Sequence, residues 1–528
     1  MKFDNELSVR ALFLGALLSI AVAAYSAFAG LKVGGVYWPI ATTSLISLAV
    51  LMLLGKTNSK EITIMQTAGS SGGLLAAGII FTIPAAWLLG IPVSITDIFL
   101  ISIVGGGLGI LFSYPLRRQL IEREQLPCAD GAAAASLIQA GDKGGSKARM
   151  LAYTFGIGAI FSIARDWLNA IPSYVNLDTL KINAGNFSLG SSISLVPLAG
   201  GFLIGPRFTL AWFLGAIATY FVIVPYALAG GLLAAKGDVL AQIARPLGVG
   251  IVLGAAVAYF ILKGLPTLGK LSQDYRESGF GKYAGIMIIL AIGILTIISN
   301  MNPLVSIVAI VGAFAMAYVG ARATGEMNVD PMEIFAMLVM LVAKLFLGFA
   351  ALPLVIVAAI VTIAAGMAGD MMQDLKAGYL LQVKLEHQMA AQVVGLIAAS
   401  LAIGVVLVSI NQAHGIGTIE FPAPQAIAVK EVIQANGLPQ MLLWGILIGT
   451  LLTLITSRIG WGIVPVAFGI GLYVPIELSF PLFIGGLLRY AIDRRKQTEH
   501  YRLVAAGLIA GESLVGVALT LLAFRAVI

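Results

Sequence analysis

The residues in this sequence that could do chemistry are carboxylates and amides set in apolar text. In AGDMMQDLKAGY, Asp370, Gln373 and Asp374 stand at spacing i, i+3 and i+4. A helix would place all three on one face at the end of a long apolar run. Carboxylates there can hold a proton or a cation and release it when access changes; the plainer reading is a solvated loop in which Lys376 neutralises Asp374. Glu477 in GIGLYVPIELSFP and Glu512 in GLIAGESLVG also lie in apolar segments. A carboxylate there is costly unless paired or protonated. Asp370, Asp374, Glu477 and Glu512 are therefore the candidates for carrying a coupling proton. Glu477 and Glu512 could instead be structural partners of Arg489 or of Lys344, which falls mid-span in MLVAKLFLG.

Substrate contacts are expected where Gly, Pro and polar residues coincide, because backbone unwound at membrane depth must line a cavity or find partners. These places supply Lys32 and Tyr37 in GLKVGGVYWP, Gln66, Thr67 and Ser70 in QTAGSSGG, Asn328 in GEMNVDP, Gln373, and Tyr473. The competing readings are an interfacial loop, a packed helix start and, for Asp330 before Pro331, a helix N-cap.

Enzyme chemistry finds little support. His387, His414 and His500 lie far apart, at or near loops, and read as ordinary polar residues. No HExxH, P-loop, GxSxG or DDxxD-like pattern occurs, and the lack of a P-loop argues against a self-contained ATP-driven pump. Cys128 is the one cysteine, which excludes an intrachain disulfide and a cysteine-built metal site. No catalytic residue, resident metal or cofactor is expected.

The elements that must position these residues are membrane helices. The chain has 528 residues, 59% hydrophobic and 11% charged, with a mean hydropathy of +0.98. Such a composition cannot clothe a water-soluble core. Apolar stretches recur from 11–30 to 503–525, some too short to cross about 30 Å of hydrocarbon alone. The expectation is one all-α membrane domain over residues 1–528, with about sixteen transmembrane helices, some broken or re-entrant. The first stretch leads into another span and is not read as a removed signal. The formal charge of +7 comes from short basic clusters, which suits cytoplasmic loops rather than nucleic-acid binding. Those clusters fall after Leu116, after Leu262 and near 490, so these loops and the amino terminus are expected inside. Seventeen crossings would leave the carboxyl terminus outside. A weak echo links AFAGLKVGGVYWPIATTSL from Ala27 to AFGIGLYVPIELSFPL from Ala467, and LLAAGIIFTI from Leu74 to LVAAGLIAGESL from Leu503. A parallel internal repeat would produce such pairs.

These motifs resemble the oligopeptide transporter family, which includes the yellow stripe-like metal-chelate carriers. The likeness runs nearly end to end, through ELSVRALFLGALLS, GLKVG, QTAGSSGGLLAAGIIFTIPA, PLRRQLIEREQLPCADGAAAASLIQAG, GFLIGPR, NVDPM, GDMMQDLKAGYLL, APQA and FGIGLYVPIELSFPLFIGGLLRY. It implies about sixteen spanning helices and proton-coupled import of small peptides, with metal–chelator complexes as the alternative cargo. It also places Gln66, Asp370, Gln373, Asp374, Tyr473, Glu477 and Glu512 in characteristic motifs. The chain lacks the NPG and KIPPR signatures of the eukaryotic peptide carriers, and Cys128 and Asp130 stand where LPYPEG-like text is common. The expected setting is a prokaryotic plasma membrane, with lipid and protons as partners and self-association open. A channel and a membrane-embedded enzyme are the rivals from other functional classes.

Overall fold

The structure, a computed structural model, describes residues 6–34, 36, 40–139, 145–176, 190–233, 235–266, 281–299, 303–327, 330, 332–434, 440–460, 464–494 and 498–525. Tyr37 and Asn328, both proposed above as substrate contacts, lie outside them.

The apolar runs fold as helices because lipid leaves backbone groups no partner but one another. In chain order these are α1 (Val9–Val33), α2 (Ile40–Leu53), α3 (Ser59–Leu88), α4 (Ile95–Leu116), α5 (Ala129–Gln139) and α6 (Gly145–Ser162). An antiparallel pair follows, β1 (Tyr174–Asn176) and β2 (Gly190–Ser192). Then come α7 (Leu195–Ile204), α8 (Pro206–Ala229), α9 (Lys236–Lys263), α10 (Gly281–Ser299), α11 (Pro303–Met327) and α12 (Met332–Leu347). The chain ends with α13 (Ala351–Leu380), α14 (Leu385–His414), α15 (Pro424–Gln434), α16 (Gln440–Arg458), α17 (Val464–Tyr473), α18 (Ile476–Asp493) and α19 (Thr498–Arg525). Among the described residues, ten helices are long and apolar enough to cross a membrane, and shorter apolar ones include Leu195–Ile204 and Val464–Tyr473. The protein is an all-α polytopic membrane protein.

Local signals set the ends. The Ser8 hydroxyl accepts from the Ala11 amide at the start of α1, and the Asn58 side chain accepts from the Glu61 amide at the start of α3. Gly34, at φ 69°, closes α1 in the left-handed region. Helix packing among lipid gains nothing from hydrophobic exclusion and relies on close approach of small residues. The glycine-rich run of α3 is used in that way: a Cβ on Gly72 would lie 2.0 Å from the Ser19 carbonyl oxygen of α1. This corrects one expectation. QTAGSSGG and AGDMMQDLKAGY do not interrupt helices; each sits inside a continuous 30-residue helix, and the glycines give neighbours room.

Contacts fix the directions. Glu61 of α3 pairs with Arg10 at 2.6 Å, and the Lys384 amide before α14 donates to Glu6 at 2.6 Å, so α1, α3 and α14 start on one face. At the opposite face His414, ending α14, lies 3.0 Å from Thr520 of α19. Helix α19, with Arg502 near Asp130 and Thr520 at this opposite face, thus runs parallel to α1. Helices α17 and α18 both pack on α8, Phe468 and Gly471 meeting Gly215 and Trp212, Ser479 meeting Trp212 and Gly486 meeting Thr209. The backbone between them leaves the helical path at Val474–Pro475, so two short helices stand where the sequence carries two short apolar segments. The basic loops share the amino-terminal face: Arg117 reaches the Val383 carbonyl, Arg502 approaches Asp130 at 4.0 Å, and Lys263 lines one cavity with Arg322. Of the two copies of the internal echo, α1 packs on α3 while α17 packs chiefly on α8 and α9.

Candidate functional site

Two motifs more than 300 residues apart in sequence meet at Asp374. On α13 its carboxylate is wholly buried. Gln66 of α3 donates its side-chain amide to Oδ1 at 2.6 Å, Ser70 donates its hydroxyl to Oδ2 at 2.5 Å, and Gln392 of α14 donates to Oδ2 at 2.7 Å. Gln388, one turn earlier on α14, donates to the Asp374 backbone carbonyl at 2.8 Å and lies 3.4 Å from the Thr67 hydroxyl. Ser71 donates to the Gln392 side-chain oxygen. Every donor to the carboxylate is neutral. Lys376, which could have neutralised Asp374 in a loop, instead donates to the Leu126 carbonyl at 2.8 Å. The solvated-loop reading is therefore excluded: the segment is buried helix.

Asp370, one turn before Asp374, is also buried, and neither of its oxygens has a hydrogen-bond partner. Gln373 ties α13 to its neighbours: its side-chain oxygen accepts from the Gly131 amide at 2.9 Å, and its amide donates to the Thr324 carbonyl at 3.2 Å. Gly131 is needed there, since a Cβ would fall 2.1 Å from the Gln373 carbonyl oxygen. Asp330 is buried against the same stretch of α13. The Met332 amide lies close to it, yet neither Asp330 oxygen makes a hydrogen bond of good geometry, so a simple N-cap does not describe it.

The other sequence candidates lie elsewhere. Lys32 is buried at the end of α1, 3.4 Å from Glu420 and between the rings of Phe28 and Phe421. Tyr473 ends α17 and Glu477 lies in the first turn of α18, where the Tyr174 hydroxyl donates to it at 3.3 Å. Glu512 on α19 accepts from Arg165 at 2.7 Å, from the Ser194 hydroxyl at 2.6 Å and from the Leu195 amide at 2.7 Å, which caps α7. The suggested partners are thus wrong in detail. Lys344 donates to the Val432 and Ile433 carbonyls ending α15, and Arg489 to the Phe202 and Leu203 carbonyls ending α7.

Sequence reading missed Gln388, Gln392, Arg165 and Thr324. The two glutamines carried a signal, amides four residues apart on an otherwise apolar helix. Arg165 falls inside the apolar stretch 151–170 and was not singled out. The cysteine is spent structurally: burial raises the Cys128 thiol to about 11, and its amide donates to the Gly325 carbonyl. A cavity of about 250 Å³, lined among others by Lys263, Arg322 and Glu326, opens beside α11 and contains none of the buried aspartates.

Helices long and apolar enough to cross a membrane, with polar side chains buried among them, define a polytopic membrane protein. The chain belongs to the family described as "OPT oligopeptide transporter protein", which it matches over residues 6–265 and 270–523. It is a transporter-family protein and not an enzyme. A Haemophilus influenzae protein named "Putative oligopeptide transporter" is 26% identical, the match covering 93% of this chain and 92% of the relative. A Saccharomyces cerevisiae protein described in the same terms is 26% identical over 41% of this chain and 33% of its own length.

Proposed function

We propose that this chain imports small oligopeptides by alternating access, driven by protons moving inward, across a prokaryotic plasma membrane with the amino terminus in the cytoplasm. The observation that carries the coupling is Asp374, wholly buried and held by neutral donors from two other helices. Such a carboxyl can exist charged or neutral in one place, since amide and hydroxyl donors stabilise the anion without committing it to a fixed cation. Movement of α3 or α14 relative to α13 changes its donor set, which links proton affinity to conformation. Asp370 shares this role, whereas Glu512, clamped by Arg165, and Glu477 hold helix ends together. Gln66, Thr67, Ser70 and Gln373 position the carboxyls. Lys32 and Tyr473 are left as substrate contacts, the lysine for a peptide carboxylate. The basic loops gathered on the amino-terminal face support the orientation, and the family supports peptide as cargo.

The test is uptake of labelled tri- to pentapeptides by purified protein in proteoliposomes, with and without an acidic exterior. Saturable, uphill uptake that needs the proton gradient is expected. Uptake of metal chelates instead of peptides would replace the substrate, and flux that neither saturates nor accumulates would make the protein a channel.

A further inference from the structure

The ion pair at Lys32 is built differently from those at Glu61 and Glu512. The carboxylates of Glu61 and Glu512 meet their arginines at 2.6 and 2.7 Å, the length of a full charge-assisted hydrogen bond. Lys32 and Glu420 stand 3.4 Å apart, and Glu420 is shared, its second oxygen lying 3.3 Å from Nδ1 of His414. Exposure differs across the pair as well: the lysine side chain is 5% exposed and the glutamate 47%. The cation is thus the buried partner and the anion the wetted one.

The surroundings hold the lysine in place whether or not the anion stays. Phe28, one turn earlier on α1, and Phe421, from the loop after α14, lie with their ring centres 4.6 and 4.8 Å from Nζ and pack edge to face at 5.0 Å. Phe421 is fully buried, and the loop is tied down around it. The Gly417 amide donates to the Phe421 carbonyl at 2.8 Å, and the Ala423 amide donates to the Leu31 carbonyl at 3.0 Å. The Glu420 side chain can therefore swing while its backbone stays docked. On its exposed side it meets water and His414, which the Thr520 hydroxyl positions at 3.0 Å. An ammonium has three protons to donate, and at 3.4 Å Glu420 makes poor use of them. A carboxylate not tethered to this loop could approach to about 2.8 Å. Replacing one carboxylate by another also keeps the buried lysine paired, which avoids the large penalty of stranding its charge.

We infer that Glu420 is a built-in stand-in for the substrate: in the empty carrier it occupies Lys32, and the terminal carboxylate of an incoming peptide displaces it. The inference rests on the reading of Lys32 as a peptide-carboxylate contact and adds the residue that sets its selectivity. Entry falls on the face where α1 and α14 end, which is outside in the orientation proposed above. A peptide amidated at its carboxyl end cannot replace Glu420 and is refused. Because the two carboxylates compete, Glu420 lowers the apparent affinity in proportion to its own hold on the site.

Equilibrium binding of labelled trialanine to the purified full-length protein in lipid nanodiscs tests the exchange. Wild type should prefer trialanine to trialanine amide at least about tenfold. Glu420→Gln, which keeps the shape and removes the charge, should bind trialanine at least about threefold more tightly. Lys32→Met should erase the preference for the acid, Lys32→Arg should keep it, and in the Lys32→Met background Glu420→Gln should have no further effect. Equal binding of acid and amide by wild type, or a Glu420→Gln variant that binds no more tightly, overturns the inference. A second arm needs no peptide. Glu420→Ala strands the lysine and leaves room for a small carboxylate, so acetate should raise its melting temperature above that in chloride of the same ionic strength. Adding Lys32→Met should remove that difference. Acetate without this effect overturns the exchange. Acetate rescue in a protein that binds no trialanine keeps the exchange and removes the peptide, so the two readings fail separately.

Discussion

Asp374 and Glu512 are both wholly buried carboxylates in apolar helices, and their surroundings are opposite. Glu512 meets an arginine at 2.7 Å and a helix-start amide, and that arginine also binds Asp166 at 2.6 Å and the Ile193 carbonyl at 2.9 Å. Asp374 meets glutamines and a serine, and Asp370 beside it meets no donor at all. A carboxylate locked to a cation gains nothing by taking up a proton and costs much to separate. One held by neutral dipoles, or by none, can change charge where it stands. The first arrangement fastens helices and the second can cycle.

The largest effect that could break this contrast is on stability. Arg165→Met leaves Glu512 buried without its cation and is expected to destabilise by about 3–5 kcal/mol, the usual consequence of removing one partner of a buried pair. The measurement is the melting temperature of purified protein followed by size-exclusion chromatography. Arg165→Met combined with Glu512→Leu should recover much of the loss. An unchanged melting temperature in the single variant would return Glu512 to the coupling candidates.

The next effect is on transport with little change in fold. Asp374→Asn keeps the volume, and the glutamine amides can turn to present oxygen, so stability should change by no more than about 1 kcal/mol. Gradient-driven peptide uptake should nevertheless collapse while exchange persists. Uptake with unchanged dependence on the proton gradient would remove Asp374 from the mechanism. Gln392→Leu deletes one donor and should destabilise by about 1–3 kcal/mol, through Ser71 losing an acceptor as much as through Asp374; thermal melting reads this directly.

The contrast was only partly legible in the sequence, for physical reasons. Composition and apolar runs identify the membrane class because lipid allows so few backbone solutions. The i, i+3, i+4 set at Asp370, Gln373 and Asp374 marked one surface of α13, and the polar run at Gln66 marked α3. That these surfaces meet depends on packing between helices 308 residues apart, which no local pattern encodes. The glycines misled because close approach and helix breaking use the same residue: Gly72 serves the first, Gly34 the second. Arg165 was illegible as a partner because it closes a span through a π-helical stretch, Ile163–Trp167, that turns it inward.

The smallest effect concerns Glu420, a third carboxylate that lies between the two extremes. It has a cation and an imidazole within 3.4 Å, Lys32 and His414, but its side chain is 47% exposed. Partial burial works to raise its pKa; the hydrogen bond to His414 and the charge of Lys32 outweigh it and hold the carboxyl at about 2, below its ordinary 4.5. Because the folded value is the lower one, the contribution to stability is complete above about pH 4.5 and is lost as pH falls toward 2. Exposure and salt screening keep it small, no more than about 1 kcal/mol. The melting temperatures of wild type and Glu420→Gln should therefore differ slightly at pH 7 and converge as pH falls through 4, with the gap shrinking further in high salt. A gap that stays constant to pH 3 would mean that Glu420 holds its place by packing alone. Cation pairing would then fasten helices only where water is shut out, as at Glu512.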